Sequence, residues 1–268
     1  EIDLPAVAFA DGGGDEGGDG TAEFMRAEHL QPALFAVEYA LAKLAQSRGV
    51  EPSALAGHSI GEYAAATIAG VFDLPTAVKA VAMRARLMNA APRGVMVAVP
   101  RGPAEIAALL NGEVDIATVN DPGSCVVAGS DSAIAAFSAR LSEQGIAARR
   151  VRTSHAFHSR LMDGVVAEFT SFLSQLTINA PQIPLMSNVT GTWMSANEAT
   201  NPATWARQIR ATVRFADEVD ALLADPALAP LAEVRDDLVA ALTRAADPDS
   251  ALLGLVRVLE AAGEEVEA

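Results

Sequence analysis

The sequence predicts an α/β protein with a large lobe, built on a mostly parallel sheet, and a small inserted α+β lobe. Three observations carry that prediction: strand-like apolar runs alternate with helical ones, the rhythm changes in the middle of the chain, and a Gly-x-Ser-x-Gly turn joins a strand-like run to a helix. The segment DGGGDEGGDG (Asp11 to Gly20) cannot pack a core and predicts a flexible loop. LQPALFAVEYALAKLAQSRG has apolar residues at helical spacing, with Pro32 near its start and Gly49 just past its end. SALAG reads as a strand, and a helix runs from the turn to about Gly70. LPTAVKAVAMRARLMNAA reads as a further helix. From Gly94 to Ser154 the order is strand GVMVAVP, helix GPAEIAALLN, strands VDIATVN and SCVVAGS, helix DSAIAAFSARLSEQG and strand AARRVRTS. β-α-β-β-α-β is the order of a ferredoxin-like subdomain. The expected division is therefore residues 1–91 and 155–268 for the large lobe and 92–154 for the small one, with a substrate site in the cleft between them.

Composition bounds the function. A chain of 268 residues can bury one large core and a smaller one, and 51% hydrophobic with 20% charged residues describes a folded globular protein. A formal net charge of −15 argues against nucleic acid as a partner. An acidic protein partner would need a local basic patch, for which Arg149, Arg150 and Arg152, or Arg84 and Arg86, are the candidates. No apolar run is long enough to span a bilayer, and the opening EIDLPAVAFA lacks the pattern of a signal peptide. The single cysteine, Cys125, excludes an internal disulfide, reads as a buried small hydrophobe and fits a reducing cytoplasm. No Cys/His cluster has metal-ligand spacing.

Chemistry concentrates at GHSIGEY, Gly57 to Tyr63. A serine between glycines at a strand-to-helix turn is a nucleophile elbow, which makes the large lobe α/β-hydrolase-like and sets Ser59 over a helix N-terminus that favours developing negative charge. A serine hydroxyl needs a base. Of the four histidines, His29 starts a helix and His58 lies inside the elbow, too close to turn onto Ser59. His155 and His158, in TSHAFHSRLMD at the lobe junction, can face Ser59, and one of them is the expected base. No acid between Ser59 and His155 stands out as its orienter. A backbone carbonyl or an asparagine, with Asn188 in LMSNVTGTW the plausible source, can hold the imidazole tautomer instead. Arg84 lies in the otherwise apolar AVAMRARLM and is either a snorkelling surface arginine or a buried fork for an anion. A serine nucleophile with a fixed arginine points to an acyl substrate that carries a free carboxylate.

These motifs in combination resemble the acyltransferase domains of modular polyketide synthases and, more distantly, the malonyl-CoA:acyl carrier protein transacylases of fatty-acid synthesis. The landmarks are AEHLQPALFAVEYAL, GHSIGEYAAATIAGVF, RARLM, VNDPGSCVVAGS, TSHAFHS, IPLMSNVTGTW and WARQIRATVRFADEV, from about Ala27 to Leu223. The resemblance implies that Ser59 carries the acyl group, that His158 is the catalytic histidine and that Arg84 binds the free carboxylate. It places Asn120 near the active site, with His58, Ile60, His155 and Phe157 also lining the substrate. HAFH together with the aliphatic Ile60 after the serine implies selection of malonyl-CoA over methylmalonyl-CoA, because Phe157 fills the space a 2-methyl group needs. No tightly bound cofactor is implied. Malonyl-CoA is the substrate, and the phosphopantetheine is carried by the partner, an acyl carrier protein working beside a ketosynthase and other synthase domains. The setting is cytoplasmic, with no nucleic acid and no membrane.

Two family motifs have no counterpart. A GQGSQ-like loop beside the oxyanion hole does not precede the elbow, and LAPLAEVRDDLVAALTR stands where an LEVGPG turn is expected. Losing one oxyanion donor costs on the order of 10²–10³ in rate, so weakened activity is expected. The rival readings are a degenerate acyltransferase-like docking domain and a serine thioesterase or esterase on the same elbow.

Overall fold

The structure, a computed structural model, describes residues 26–226. The predicted loop at 11–20 and the positions of the two absent motifs lie outside the described residues.

The first layer is helical: α1 (Ala27–Ser47), α2 (Ile60–Ile68) and α3 (Leu74–Ala90). α1 begins upstream of Pro32, so the proline lies inside the helix and one main-chain bond is forgone, whereas Gly49 takes a φ of 90° just past the end. α3 opens on Asp73, which accepts from the Thr76 N–H at 2.8 Å. Its buried residues Ala77, Ala80, Val81, Arg84, Leu87 and Met88 recur at helical spacing. That spacing puts Arg84 on the inner face and leaves Arg86 outside. Tyr63 and Phe72 stack beside Trp205 in the main core, and the Tyr63 hydroxyl donates to the Trp205 carbonyl at 3.1 Å.

β1 (Val95–Val99), α4 (Pro103–Leu109), β2 (Val114–Asp121), β3 (Ser124–Gly129), α5 (Asp131–Glu143) and β4 (Arg149–Arg150) follow. The sheet runs β2-β3-β1-β4 with every neighbouring pair antiparallel. One face packs Val97, Val99 and Val127 against Ile106, Ile134, Phe137 and Leu141 of α4 and α5. Cys125 is buried in this second core, and burial pushes its thiol up to about 11, which makes it inert. The other face brings Met96, Ala117 and Ala128 against Ala156, next to the predicted histidine pair. Arg93 and His155 form an antiparallel bridge where the chain enters and leaves this sheet.

The predicted mostly parallel sheet is not what the described residues show. SALAG contributes one parallel bridge, Leu55 to Leu185, held by Leu55 N–H to Pro184 O and Met186 N–H to Leu55 O, both 2.9 Å. Pro184 has no N–H to continue the ladder backwards. Forwards, the chain turns into the elbow, and the Gly57 carbonyl accepts from the Asn188 side chain at 2.7 Å instead of from a strand. β5 (Met186–Ser187) and β6 (Thr192–Trp193) pair antiparallel. A second parallel bridge, Thr118 to Val213, extends the free edge of β2.

A 3₁₀ turn (Arg160–Met162), α6 (Asp163–Leu173), α7 (Ala196–Ala199), α8 (Pro202–Gln208) and α9 (Phe215–Ala224) complete the described residues. Arg160 grips Asp115 of β2 through Nε at 2.9 Å and Nη2 at 2.7 Å, which ties the segment after His158 to the four-stranded sheet. No described helix is long and apolar enough to cross a membrane.

Candidate active site

Ser59 precedes α2 with φ 54° and ψ −106°, and His158 has φ 55°. Left-handed backbone at residues other than glycine stores strain and clusters at functional sites. Space alone demands the first glycine of the elbow, since a Cβ at Gly57 would strike the backbone of Gly61 and Glu62. A Cβ at Gly61 would meet only the Glu38 side chain, at 3.5 Å, so the second glycine is not required in the same way. Ser59 does not cap its helix, which leaves the hydroxyl for other partners. Two side-chain amides clamp its backbone: Ser59 N–H donates to Asn188 Oδ1 at 2.7 Å, and Ser59 O accepts from Gln208 Nε2 at 2.6 Å.

His158 Nε2 lies 2.8 Å from Ser59 Oγ, and its Nδ1 lies 3.0 Å from the main-chain oxygens of both Gln208 and Ala211. Carbonyls only accept, so Nδ1 carries the proton and Nε2 offers its lone pair to the serine hydroxyl. Burial, then the positive charges of Arg84 and His58, drive the imidazole pKa down to about 3 and keep the ring neutral. The expected orienting role of Asn188 is corrected here: main-chain carbonyls hold the imidazole. Asn188 sits under the elbow, where its Nδ2 donates to Gly57 O at 2.7 Å and to Glu218 Oε1 at 2.6 Å.

Arg84 is fully buried, which removes the snorkelling reading. Its Nη1 donates to Gln31 Oε1, and its Nη2 reaches Ser59 Oγ at 3.1 Å and Gln208 Oε1 at 3.2 Å. The guanidinium carbon lies 5.4 Å from the centroid of the Tyr63 ring, a cation–π contact. These hydrogen-bond acceptors are all neutral, and Arg84 Nε has no partner among the described residues. A buried cation whose hydrogen bonds all go to neutral oxygens retains the capacity to pair with an anion.

The other expected residues are placed as follows. His58 Nε2 meets Asn120 Oδ1 at 3.0 Å and its ring stands edge-on to Phe215, 5.4 Å between centroids, so it is fixed away from Ser59 Oγ. Ile60 begins α2 within the main core. The His155 ring bonds Ser154 Oγ at 2.8 Å and stacks on Phe157 at 5.9 Å between centroids. Burial, then the charge of Arg93, lowers the His155 pKa. Phe157 packs between the main core and the far face of the sheet. Arg149, Arg150 and Arg152 are exposed.

Sequence reading passed over Gln31, Gln208, Glu62 and Glu218. The signal was present: Glu62 is the sole charged residue in IGEYAAATI, and a lone charge on a largely buried helix needs partners. Glu62 accepts from Asn188 N at 3.1 Å and from Gln208 Nε2 at 2.9 Å. Burial raises its pKa to about 7 against the lowering effects of Gln208, Asn188 and Arg84. Glu218 is pushed up to about 9, first by burial and then by the Glu62 charge. A carboxyl raised from 4.5 to about 9 keeps its proton in the fold while the unfolded chain releases it. Its stabilising contribution is thus complete below about 4.5 and is lost as pH rises through about 9. Glu218→Gln keeps an acceptor for Asn188 and cannot ionise. Its melting temperature relative to the unaltered protein is expected to rise steadily from pH 5 to pH 9, and parallel melting curves across that range would contradict this.

Comparison with known proteins decides the family. The profile described as the acyl transferase domain matches residues 14–247. The chain belongs to that family. This acyltransferase domain is 51% identical over 226 residues to a component of the phenolphthiocerol/phthiocerol polyketide synthase of Mycobacterium tuberculosis, covering 84% of this chain and 15% of that protein. The acyltransferase domain from the second module of the salinomycin polyketide synthase superposes with a TM-score of 0.72 at 45% identity, over 75% of this chain and 48% of that one. Malonyl CoA-acyl carrier protein transacylase from Burkholderia pseudomallei gives a TM-score of 0.70 at 33% identity, over 80% of this chain and 74% of that one. The acyltransferase domain thus spans a small part of the mycobacterial synthase component and about half of the salinomycin chain.

Proposed function

We propose that this acyltransferase domain takes a malonyl group from malonyl-CoA onto Ser59 and passes it to the phosphopantetheine thiol of an acyl carrier protein in polyketide synthesis. One observation carries the reading: the same oxygen, Ser59 Oγ, lies 2.8 Å from His158 Nε2 and 3.1 Å from Nη2 of a fully buried Arg84. Ser59 Oγ attacks the thioester carbonyl as His158 Nε2 takes its proton, and the tetrahedral adduct expels the coenzyme A thiolate, which recovers that proton from His158. The carrier thiol then attacks the seryl ester, gives its proton to His158 and leaves as the malonyl thioester, with Ser59 reprotonated. Ile60, as the first residue of α2, has an N–H without an intrahelical acceptor, and that N–H serves the developing oxyanion. Burial first and the Arg84 charge second keep His158 weakly basic, and the malonyl carboxylate, by pairing with Arg84, relieves the second of these.

The proposal puts the site between the two lobes of the expected division, and the contact of Asn120 in β2 with His58 of the elbow supports it. Residues 92–154 are read as the ferredoxin-like small lobe and the remainder as the large one. Relatives named as polyketide synthases and as a malonyl CoA-acyl carrier protein transacylase support a carrier protein as partner, and a neighbouring ketosynthase and a cytoplasmic setting belong to the same proposal. The intact Ser59–His158 contact speaks against a docking-only domain. Charging the protein with labelled malonyl-CoA and adding a phosphopantetheinylated carrier tests the reading: label is expected to move to the carrier, and label appearing only as free malonate would make the protein a thioesterase.

Substrate volume gives a further expectation. Phe157 is braced by the His155 ring and by two cores, so it cannot swing freely to admit a 2-methyl group. A single methyl group is worth roughly 10–200-fold in such a pocket, and malonyl-CoA is expected to be preferred over methylmalonyl-CoA within that range. Phe157→Ser narrows the preference without inverting it. Competition between the two thioesters, read as the ratio of acylated carriers, checks this, and equal use of both by the unaltered protein would overturn the pocket reading.

A further inference from the structure

The Gln208 side chain joins Arg84, Glu62 and the main chain of Ser59. Its Oε1 accepts from Arg84 Nη2 at 3.2 Å, while its Nε2 donates to Ser59 O at 2.6 Å and to Glu62 Oε2 at 2.9 Å. A primary amide turned end for end keeps its shape and reverses its polarity. Reversed, Gln208 would set an NH₂ against the Arg84 guanidinium, donor against donor, and an oxygen against the Ser59 carbonyl and Glu62.

We propose that Glu62 is a positioning residue that sets the polarity of the Gln208 amide and so holds Arg84 ready for the substrate carboxylate. This rests on the reading of Arg84 given under the proposed function. Glu62 is 1% exposed, and both of its oxygens are committed, Oε1 to Asn188 N–H at 3.1 Å and Oε2 to Gln208. Only a carboxyl group that presents two acceptors can serve both donors. In Glu62→Gln one end becomes NH₂. Facing Gln208, it favours the reversed amide and turns a donor toward Arg84; facing Asn188, it opposes the main-chain N–H. The first arrangement matters for specificity, because it dislodges the guanidinium without touching Ser59 or His158 directly.

The test measures acylation of Ser59 by malonyl-CoA and by acetyl-CoA in the unaltered protein, Glu62→Gln, Glu62→Asp, Gln208→Leu and the Glu62→Gln/Gln208→Leu double variant. Glu62→Gln is expected to lower the malonyl-to-acetyl ratio by about tenfold or more, the scale of one buried donor left unpaired. Glu62→Asp, which keeps a carboxyl, retains most of the ratio. The double variant falls no further than Gln208→Leu, because Glu62 acts through Gln208. Equal loss with both thioesters in Glu62→Gln, or additive loss in the double variant, overturns the proposal and leaves Glu62 as a structural residue. Should Glu62→Gln be insoluble, Glu62→Asp against Gln208→Leu decides the same question: the proposal requires the first to keep the ratio and the second to lose it. An unaltered protein with no preference for malonyl over acetyl overturns the carboxylate reading of Arg84 and this proposal with it. A normal preference that survives Glu62→Gln overturns this proposal alone.

Discussion

Ser59→Ala is expected to form no acyl-enzyme with malonyl-CoA, and His158→Ala to form it more slowly by roughly 10²–10⁴-fold, the range that a positioned proton acceptor supplies. Without Oγ there is no atom to carry the acyl group. Without the imidazole the hydroxyl keeps its proton, because the other group on Ser59 Oγ is the donor Arg84. His155→Ala should cost far less, since the His155 ring is committed to Ser154 and to stacking on Phe157. Single-turnover acylation of the three variants checks the assignment. A His155 variant more impaired than the His158 variant would reverse it.

Arg84→Ala is expected to reduce malonyl transfer by roughly 10²-fold or more, the scale on which buried charges depend on their partners, while acetyl transfer falls much less or improves. The guanidinium is wholly buried and bonded to neutral side-chain oxygens, so a carboxylate gains a full counter-charge there and a neutral acyl chain leaves that charge uncompensated. Some loss with acetyl-CoA is also built in, because Nη2 touches Ser59 Oγ. The ratio of kcat/KM for the two thioesters is therefore the quantity to measure. Equal loss with both would make Arg84 a structural residue.

Much of the site was legible because its chemistry follows from local pattern. The elbow is written in consecutive residues, whereas the sequence leaves Arg84 open between a snorkelling and a buried guanidinium, and its place among Ala77, Ala80, Val81, Leu87 and Met88 on the inner face of α3 decides for the second. The histidine base was narrowed to a pair by position. A backbone carbonyl is one of the two orienters the sequence allows, but which residue supplies it is not legible, because the main-chain oxygens of Gln208 and Ala211 belong to every residue type and leave no mark in a sequence. Glu62, Asn188, Gln208 and Glu218 form one buried network whose members come from α2, the segment after β5, α8 and α9. Only the fold brings such residues together, and Gln208 and Glu218, read alone, pass for surface polar groups. Among the described residues the parallel pairing of SALAG stops at one bridge for a different reason: an apolar run reports burial, but a ladder also needs donors, and Pro184 supplies none.

The central claim, a seryl ester formed from malonyl-CoA, is tested most directly by intact-protein mass spectrometry after mixing the protein with malonyl-CoA, with the modified residue located by fragmentation. The account predicts a persistent malonyl adduct on Ser59 that disappears when a phosphopantetheinylated carrier is added and is absent from Ser59→Ala. No adduct on Ser59, or an adduct that turns over to free malonate without a carrier, would contradict it.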